Sequence, residues 1–256
     1  MPLTFAHPAV ALPFSRNSKY VNFLALVLGS MAPDFEYFLR GKPNGEIGHT
    51  FVGFLVLNLP IVLIVYFVYL TYIHKALFSH LPSILQDTYS QKVDSSRWLK
   101  AVVFLYSALF GMLTHVVWDS FTHVSGYMVK KLSFLSNTVH FLSFDIPIFK
   151  ILQHGSTLVG IALIIGYMYF RTAKNRCTRN KTATSQQKII YWGLIALLAA
   201  FLFGSWSFYD EVSIKLYGVL VVRIIDSALI SLLLVSLIFN VLNKMKMGSS
   251  LFNRFY

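Results

Sequence analysis

The chain is 256 residues long, 56% apolar and only 12% charged, about half the charged fraction of an ordinary soluble domain, which excludes a conventional soluble fold. Its formal net charge is +12, yet six of the basic residues fall in one acid-free, aromatic-free segment, RTAKNRCTRNKTATSQQK (171–188), between two apolar stretches. That placement marks a cytoplasmic loop rather than a nucleic-acid surface, and Cys177, the single cysteine, lies in the same loop, so no intramolecular disulfide can form.

In chain order, the N-terminal MPLTFAHPAVALPF lacks a basic region followed by a long apolar core, so it reads as retained rather than as a cleaved signal peptide. The run VNFLALVLGSMA (21–32) is too short for an ordinary span and is closed by Pro33. It suits a half-helix or a segment buried against other helices. Five windows are apolar enough to cross hydrocarbon: 51–73, 99–118, 156–170, 189–208 and 217–242. The expected fold is all-α: a polytopic integral membrane helical bundle of about five to six transmembrane helices plus a short N-terminal half-helix. No internal repeat is visible, and 1–256 reads as a single membrane domain, with a motif-bearing part at 1–160 and a C-terminal helical hairpin at 189–256. With 171–188 placed in the cytoplasm, 34–50 and 119–155 fall on the outer side and 74–98 inside. The tail carrying Lys244, Lys246 and Arg254 also falls inside.

Against this apolar background, LTHVVWDSFTH (113–123) sets His115, Asp119 and His123 four residues apart, on one helical face where a helix leaves the membrane. Ionisable groups at such depth are costly unless paired, solvated or bound to something. Imidazole nitrogen with carboxylate oxygen is a ligand set for zinc, and it also tolerates manganese or iron. Taken alone, Asp119 and His123 read equally as an i,i+4 pair at a helix end. The same outer face, however, also receives APDFEYF with Asp34 and Glu36, GHT with His49, and FAHP with His7. Each of these has an ordinary reading too: Asp34 as a helix cap, His7 as a turn residue, His49 as a loop histidine before a Thr50 cap. Their convergence on one side favours shared metal binding by His7, Asp34, His49, His115, Asp119 and His123.

These segments resemble a bacterial membrane-protein family known only as domain of unknown function 4184. MPLTFAHPA, GSMAPDFEYFLR, GHT, THVVWDSFTHVSG and LQHGSTLVG match its pattern in order, across most of residues 1–160. More distantly, Pro33-Asp34, Gly48-His49-Thr50, His115…Asp119, Thr122 and Gly126 are similar to the motif order of inner-membrane metal-dependent hydrolases. The GHT segment is shorter than theirs. The order of candidate ligands also looks like that of zinc-dependent phospholipase C. The resemblance implies a bacterial inner-membrane protein.

The chemistry expected of such a site is phosphoester hydrolysis, with metal-activated water as nucleophile and a second ion at the leaving oxygen. Asp34 or Asp119 would bridge ions through its two oxygens, and Asp34 and Glu36 are the candidate catalytic carboxylates. Glu36 is a second-shell residue or general base in this reading. Arg16, Lys19 and Arg40 are the nearest cations for a phosphate, though each reads equally well as an interfacial, snorkelling side chain. A site at a membrane face points to a membrane lipid or lipid-linked phosphate as substrate. Two other readings stay open: a metal-binding transporter or channel, and a non-catalytic scaffold holding a structural metal. Arg223 and Asp226, three residues apart in the last span, are expected to neutralise each other. His140, Asp145 and His154 follow the main motif, and His154 is the one expected nearest the site.

Overall fold

The structure is a computed structural model, and it describes residues 3–86, 95–141, 144–174 and 183–252. A 3-10 helix, Thr4–Ala11, precedes α1 (Phe23–Met31), a 3-10 turn Ala32–Asp34, and α2 (Phe35–Arg40). Then come α3 (Phe51–His80), α4 (Arg97–Thr122) and the short α5 (Tyr127–Lys131). A small antiparallel hairpin pairs β1 (Thr138–Phe141) with β2 (Phe144–Pro147). Three long helices complete the chain: α6 (Ile148–Lys174), α7 (Ser185–Tyr209) and α8 (Tyr217–Phe252). Five helical segments, Phe51–His80, Arg97–Lys131, Ile148–Lys174, Ser185–Tyr209 and Tyr217–Asn243, are long and apolar enough to cross a membrane. This is an all-α polytopic membrane protein. The 156–170 window, short in sequence, belongs to a helix of 27 residues. Most of the basic 171–188 loop, with Cys177, lies outside the described residues.

The chain divides into two compact units. The first comprises residues 1–36, 45–66 and 90–171, and is organised around α1 and α4. Asn22 caps α1 by accepting from the Ala25 N–H, while its own N–H donates to Ser107 Oγ of α4. At nine residues α1 cannot span a bilayer; it is a half-helix buried on α4. The two backbones touch: a Cβ on Gly29 would lie 2.2 Å from the Ala108 carbonyl oxygen, and one on Gly111 would lie 2.5 Å from that of Leu26. Lipid-embedded helices associate by this kind of close small-residue approach, since no hydrophobic gain separates protein from hydrocarbon. Pro33 then ends α1 in the 3-10 turn that carries Asp34.

The second unit comprises residues 37–44, 67–89 and 172–256. Thr184 and Gln187 form a capping box at the start of α7. Its core packs Tyr191 and Ile195 of α7 against Val235 of α8 and Ala76 of α3, and the Tyr191 hydroxyl bonds Ser236. Arg223 does not pair with Asp226. Its Nη2 donates to Asp210 Oδ2 and its Nη1 to the Trp206 carbonyl, with the guanidinium over the Trp206 ring. Arginine's length lets it reach past its own helix turn to the C-terminal end of α7, where bare carbonyls and a carboxylate wait. Asp226 stays buried on α8.

Candidate metal centre

Each candidate ligand in the first unit is brought in by a different local device. His7 lies on the N-terminal 3-10 helix, one turn after Thr4. Asp34 leaves the proline turn after α1, and the Thr4 hydroxyl donates to its Oδ2 at 2.6 Å. His115 and Asp119 lie one turn apart on the buried face of α4. His49 comes from the loop before α3, and that loop is held from two sides. Glu36, buried, accepts the N–H groups of Glu46, Ile47 and Gly48 at 3.0, 3.1 and 2.8 Å. Asn58, fully buried inside α3, donates to the Gly48 carbonyl at 2.6 Å. Asn58 closes a π-turn, Phe54–Asn58, just before Pro60, which has no N–H to offer a regular helical ladder. Gly48 is required for the fit, because a Cβ there would lie 2.5 Å from the Pro33 carbonyl oxygen.

The resulting geometry is tight. Asp34, His49, His115 and Asp119 each offer one ligand atom, and the four atoms lie within 4.8 Å of one another. His115 Nε2 is 3.6 Å from Asp34 Oδ1 and 3.3 Å from Asp119 Oδ2. His49 Nε2 is 3.5 Å from each of the same two oxygens. An ion held tetrahedrally by N and O ligands at about 2.0–2.1 Å would set neighbouring ligand atoms about 3.3 Å apart. The four N–O spacings of 3.3–3.6 Å lie near that separation and are long for hydrogen bonds, and the set as a whole falls within 4.8 Å.

The protonation pattern points the same way. His115 Nδ1 lies 2.7 Å from the Ser30 carbonyl oxygen, and a carbonyl only accepts, so Nδ1 carries the proton. In the neutral ring Nε2 is then bare, and its lone pair faces two carboxylate oxygens. Only a cation, metal or proton, makes that arrangement favourable. Among the described residues, His115 Nε2, Asp34 Oδ1, Asp119 Oδ1 and His7 Nε2 are buried without a hydrogen-bond partner. The residues therefore fit a divalent ion both by donor chemistry and by unspent lone pairs.

A second, less complete set adjoins the first. His7 Nε2 lies 3.7 Å from Asp119 Oδ1, and the His7 ring stacks on His115 with centroids 3.8 Å apart. Asp119 thus turns one oxygen to each set. His123, the C-cap of α4, has Nδ1 3.6 Å from Asp119 Oδ1 but 3.2 Å from the Asp119 carbonyl, so this nitrogen is folded back on its own helix end.

Charge is distributed accordingly. Burial, with His115 beside it, draws the His7 pKa down to about 4. At Asp34 burial opposes the charge, but the His115 and His49 imidazoles and the Thr4 hydroxyl outweigh it and hold the carboxyl well below the usual range. Burial would lower His49 as well, yet the facing carboxylates of Asp119 and Asp34 win and raise it.

The remaining candidates go elsewhere. Both Glu36 oxygens serve the 46–48 loop, a positioning task distinct from the general-base role considered from sequence. Arg16 lies over the Phe23 and Tyr167 rings, and Lys19 over Tyr20. Arg40 is exposed and belongs to the second unit. His154 is exposed on α6, and His140 pairs with Asp145 across the hairpin. Sequence reasoning missed Thr4, Ser30 and Asn58 as supports. Thr4 had a signal, lying one 3-10 turn before His7 within MPLTFAHPA, and Asn58 had one as an amide inside an apolar span.

No curated protein and no solved structure matches the chain. The model of one family, a domain of unknown function (DUF4184), matches residues 1–238, and the chain belongs to that family.

Proposed function

We propose that the protein is a membrane-embedded, metal-dependent hydrolase that cleaves a phosphoester of a lipid-borne substrate at the extracytoplasmic face of a bacterial inner membrane. One observation carries the reading: two imidazoles and two carboxylates meet at coordination spacing, and the outer oxygen of Asp119 and the adjoining His7 Nε2 are still unspent. A bound divalent ion, zinc first and manganese or iron next, supplies Lewis-acid chemistry there, acidifying water and offsetting charge at phosphoryl oxygen. His49, His115, Asp34 and Asp119 hold it. Thr4 orients Asp34, and the Ser30 carbonyl sets the His115 tautomer so that Nε2 is the ligand atom. Glu36 and Asn58 keep His49 in place from behind. His7 and the second oxygen of Asp119 receive a further ion or orient the attacking water. The extracytoplasmic side follows from the positive-inside reading of 171–188.

One feature favours a second reading, that of a scaffold with a structural metal: the cluster offers four protein ligand atoms, the number that would fill a structural zinc site, whereas catalytic zinc sites use three and leave one position open. The test is the metal content of detergent-purified protein by elemental mass spectrometry, beside phosphoester hydrolysis by the metal-replete sample. Hydrolysis and metal lost together in a His115→Ala/Asp119→Ala variant support the enzyme. Metal bound tightly with no hydrolysis of any phospholipid or polyprenyl phosphate favours the scaffold, and a folded wild type that takes up no metal refutes both.

A further inference from the structure

An apolar groove in the same unit adjoins the metal-ligand cluster through His7. The groove has a volume of about 620 Å³ and is walled by the N-terminal 3-10 helix, α4 and α6. That volume is within the range of about 300–1,000 Å³ typical of single-ligand sites. His7 lines one part of it, and the same residue's buried Nε2 lies 3.7 Å from Asp119 Oδ1, so groove and cluster share this residue. Trp118 Nε1 donates to Ser156 Oγ at 3.2 Å, which ties up much of the polarity of the adjoining wall. From Ser156 to Leu163 the wall runs two turns along α6, about 10 Å, and beyond Ser156 its lining residues, Val159, Gly160 and Leu163, are apolar. Val159 and Leu163 are more than half exposed on a helix apolar enough to cross a membrane, so this wall faces hydrocarbon rather than water. At Gly155 the floor is open: a Cβ there would meet nothing within 4 Å.

We propose that this groove seats one acyl chain of a membrane glycerophospholipid, with its phosphoester presented to the His/Asp cluster. The inference rests on the metal-dependent reading of that cluster and names its substrate class. Three features select the occupant. The groove's surroundings are lipid, which makes a chain already in the bilayer the ligand at hand. Its lining is mixed, with His7 and Ser156 beside an apolar wall two helical turns long, which suits a molecule with a polar head and an apolar tail. Its volume suits one chain, not the body of a folded partner. Unlike a ring of annular lipid, a chain seated here has a defined register, set by its phosphate at the cluster.

The test uses the full-length, metal-supplemented protein in nanodiscs containing phosphatidic acid with a photoactivatable diazirine on one palmitoyl chain. Crosslinked peptides are mapped by mass spectrometry, and metal content is measured on the same samples. Labelling is expected on the groove residues Val10, Val159 and Leu163, competed by unlabelled phosphatidic acid. It should be lost in Gly155→Phe, where the new ring fills open space, and in Val159→Trp, a change at an exposed position, while both variants keep their metal. Label spread evenly over all lipid-facing helices and indifferent to both substitutions would overturn the groove and leave the hydrolase reading standing. Competition by a polyprenyl phosphate but not by phosphatidic acid would overturn the acyl assignment. Specific labelling of a wild type that binds no metal would support the groove and remove the hydrolase reading from beneath it.

Discussion

Two buried histidines, one in each unit, make the same first hydrogen bond. His115 Nδ1 lies 2.7 Å from the Ser30 carbonyl oxygen, and His80 Nδ1 lies 2.7 Å from that of Ala76. Both rings therefore carry the proton on Nδ1 in the neutral state. Their other sides differ. The His80 ring stacks on Tyr191 at 4.4 Å and meets Phe239 edge-on, and among the described residues no carboxylate pairs with it. The second nitrogen of His115 faces Asp34 and Asp119. Burial of a histidine in a membrane helix bundle is thus no sign of function by itself. What distinguishes the first unit is convergence: imidazole and carboxylate atoms from four separate segments brought within reach of one another. In the second unit Arg223 with Asp210 and Tyr191 with Ser236 each find a near neighbour, while Asp226 Oδ2, Ser227 Oγ and Ser231 Oγ, all on the one helix α8, are buried without a partner among the described residues.

The comparison breaks most directly on metal. Wild-type protein is expected to gain about 2.7 kcal/mol of stability at a metal concentration a hundredfold above Kd, and to lose that increment with a chelator. The increment should vanish in His115→Ala/Asp119→Ala and survive in His80→Phe, as read by thermal unfolding in detergent with and without metal. An increment that disappears in His80→Phe would mean that the two histidines are not different in kind. Next in size is Thr4→Val, which removes the hydroxyl behind Asp34. Loss of such a support lowers metal affinity about 10–100-fold. Thr4→Ser should restore it, and titration with a competing chelator decides; an unchanged Kd would reduce Thr4 to packing.

The architecture was legible in the sequence because hydrocarbon imposes a simple rule, a long uncharged run for each crossing. All five windows lie within the long apolar helices, and the nine-residue α1 is the half-helix that its length required. The site was legible as a ligand inventory, since polar residues at membrane depth stand out. Its supports were not. The Ser30 carbonyl is backbone, invisible to residue type. From sequence Glu36 is expected to stand behind the ligands or to act as general base, and its carboxylate organises three N–H groups of the loop that carries His49, ten residues on. His123 continues the four-residue spacing, and at the helix end its Nδ1 lies 3.6 Å from Asp119 Oδ1 and 3.2 Å from the Asp119 carbonyl, a split that spacing alone does not show. Arg223 shows the same limit: spacing on one helix offered Asp226, while the longer reach of the side chain found Asp210 at the end of the preceding helix. Periodicity fixes which face a residue shares, and only packing decides what it touches.

Glycine sharpens the contrast at the level of helix packing. Gly111→Ala places a methyl 2.5 Å from the Leu26 carbonyl oxygen and should push α1 off α4, destabilising by about 1–3 kcal/mol and disturbing the metal set through Asp34. Gly204→Ala in α7 meets nothing within 4 Å and should instead stabilise by up to about 1 kcal/mol through helix propensity. Thermal unfolding of the two variants side by side reads the opposite signs. Equal effects would show that α1 is not held by backbone contact.

The smallest effect belongs to the ion pair of the second unit. Asp210 is more than a third exposed, and its carboxylate meets a guanidinium that also keeps the Trp206 carbonyl and ring. Water screens the pair on one side, so Asp210→Asn should cost about 1 kcal/mol or less. The amide still offers an oxygen to Arg223, and Trp206 still covers the guanidinium, so the local structure at the end of α7 is expected to hold. Metal content should not move at all. A loss of metal in Asp210→Asn would be the more instructive result. It would mean that the second unit sets the state of the cluster in the first, and that the polar groups there are coupled to the site by a route that their separate hydrogen bonds do not reveal.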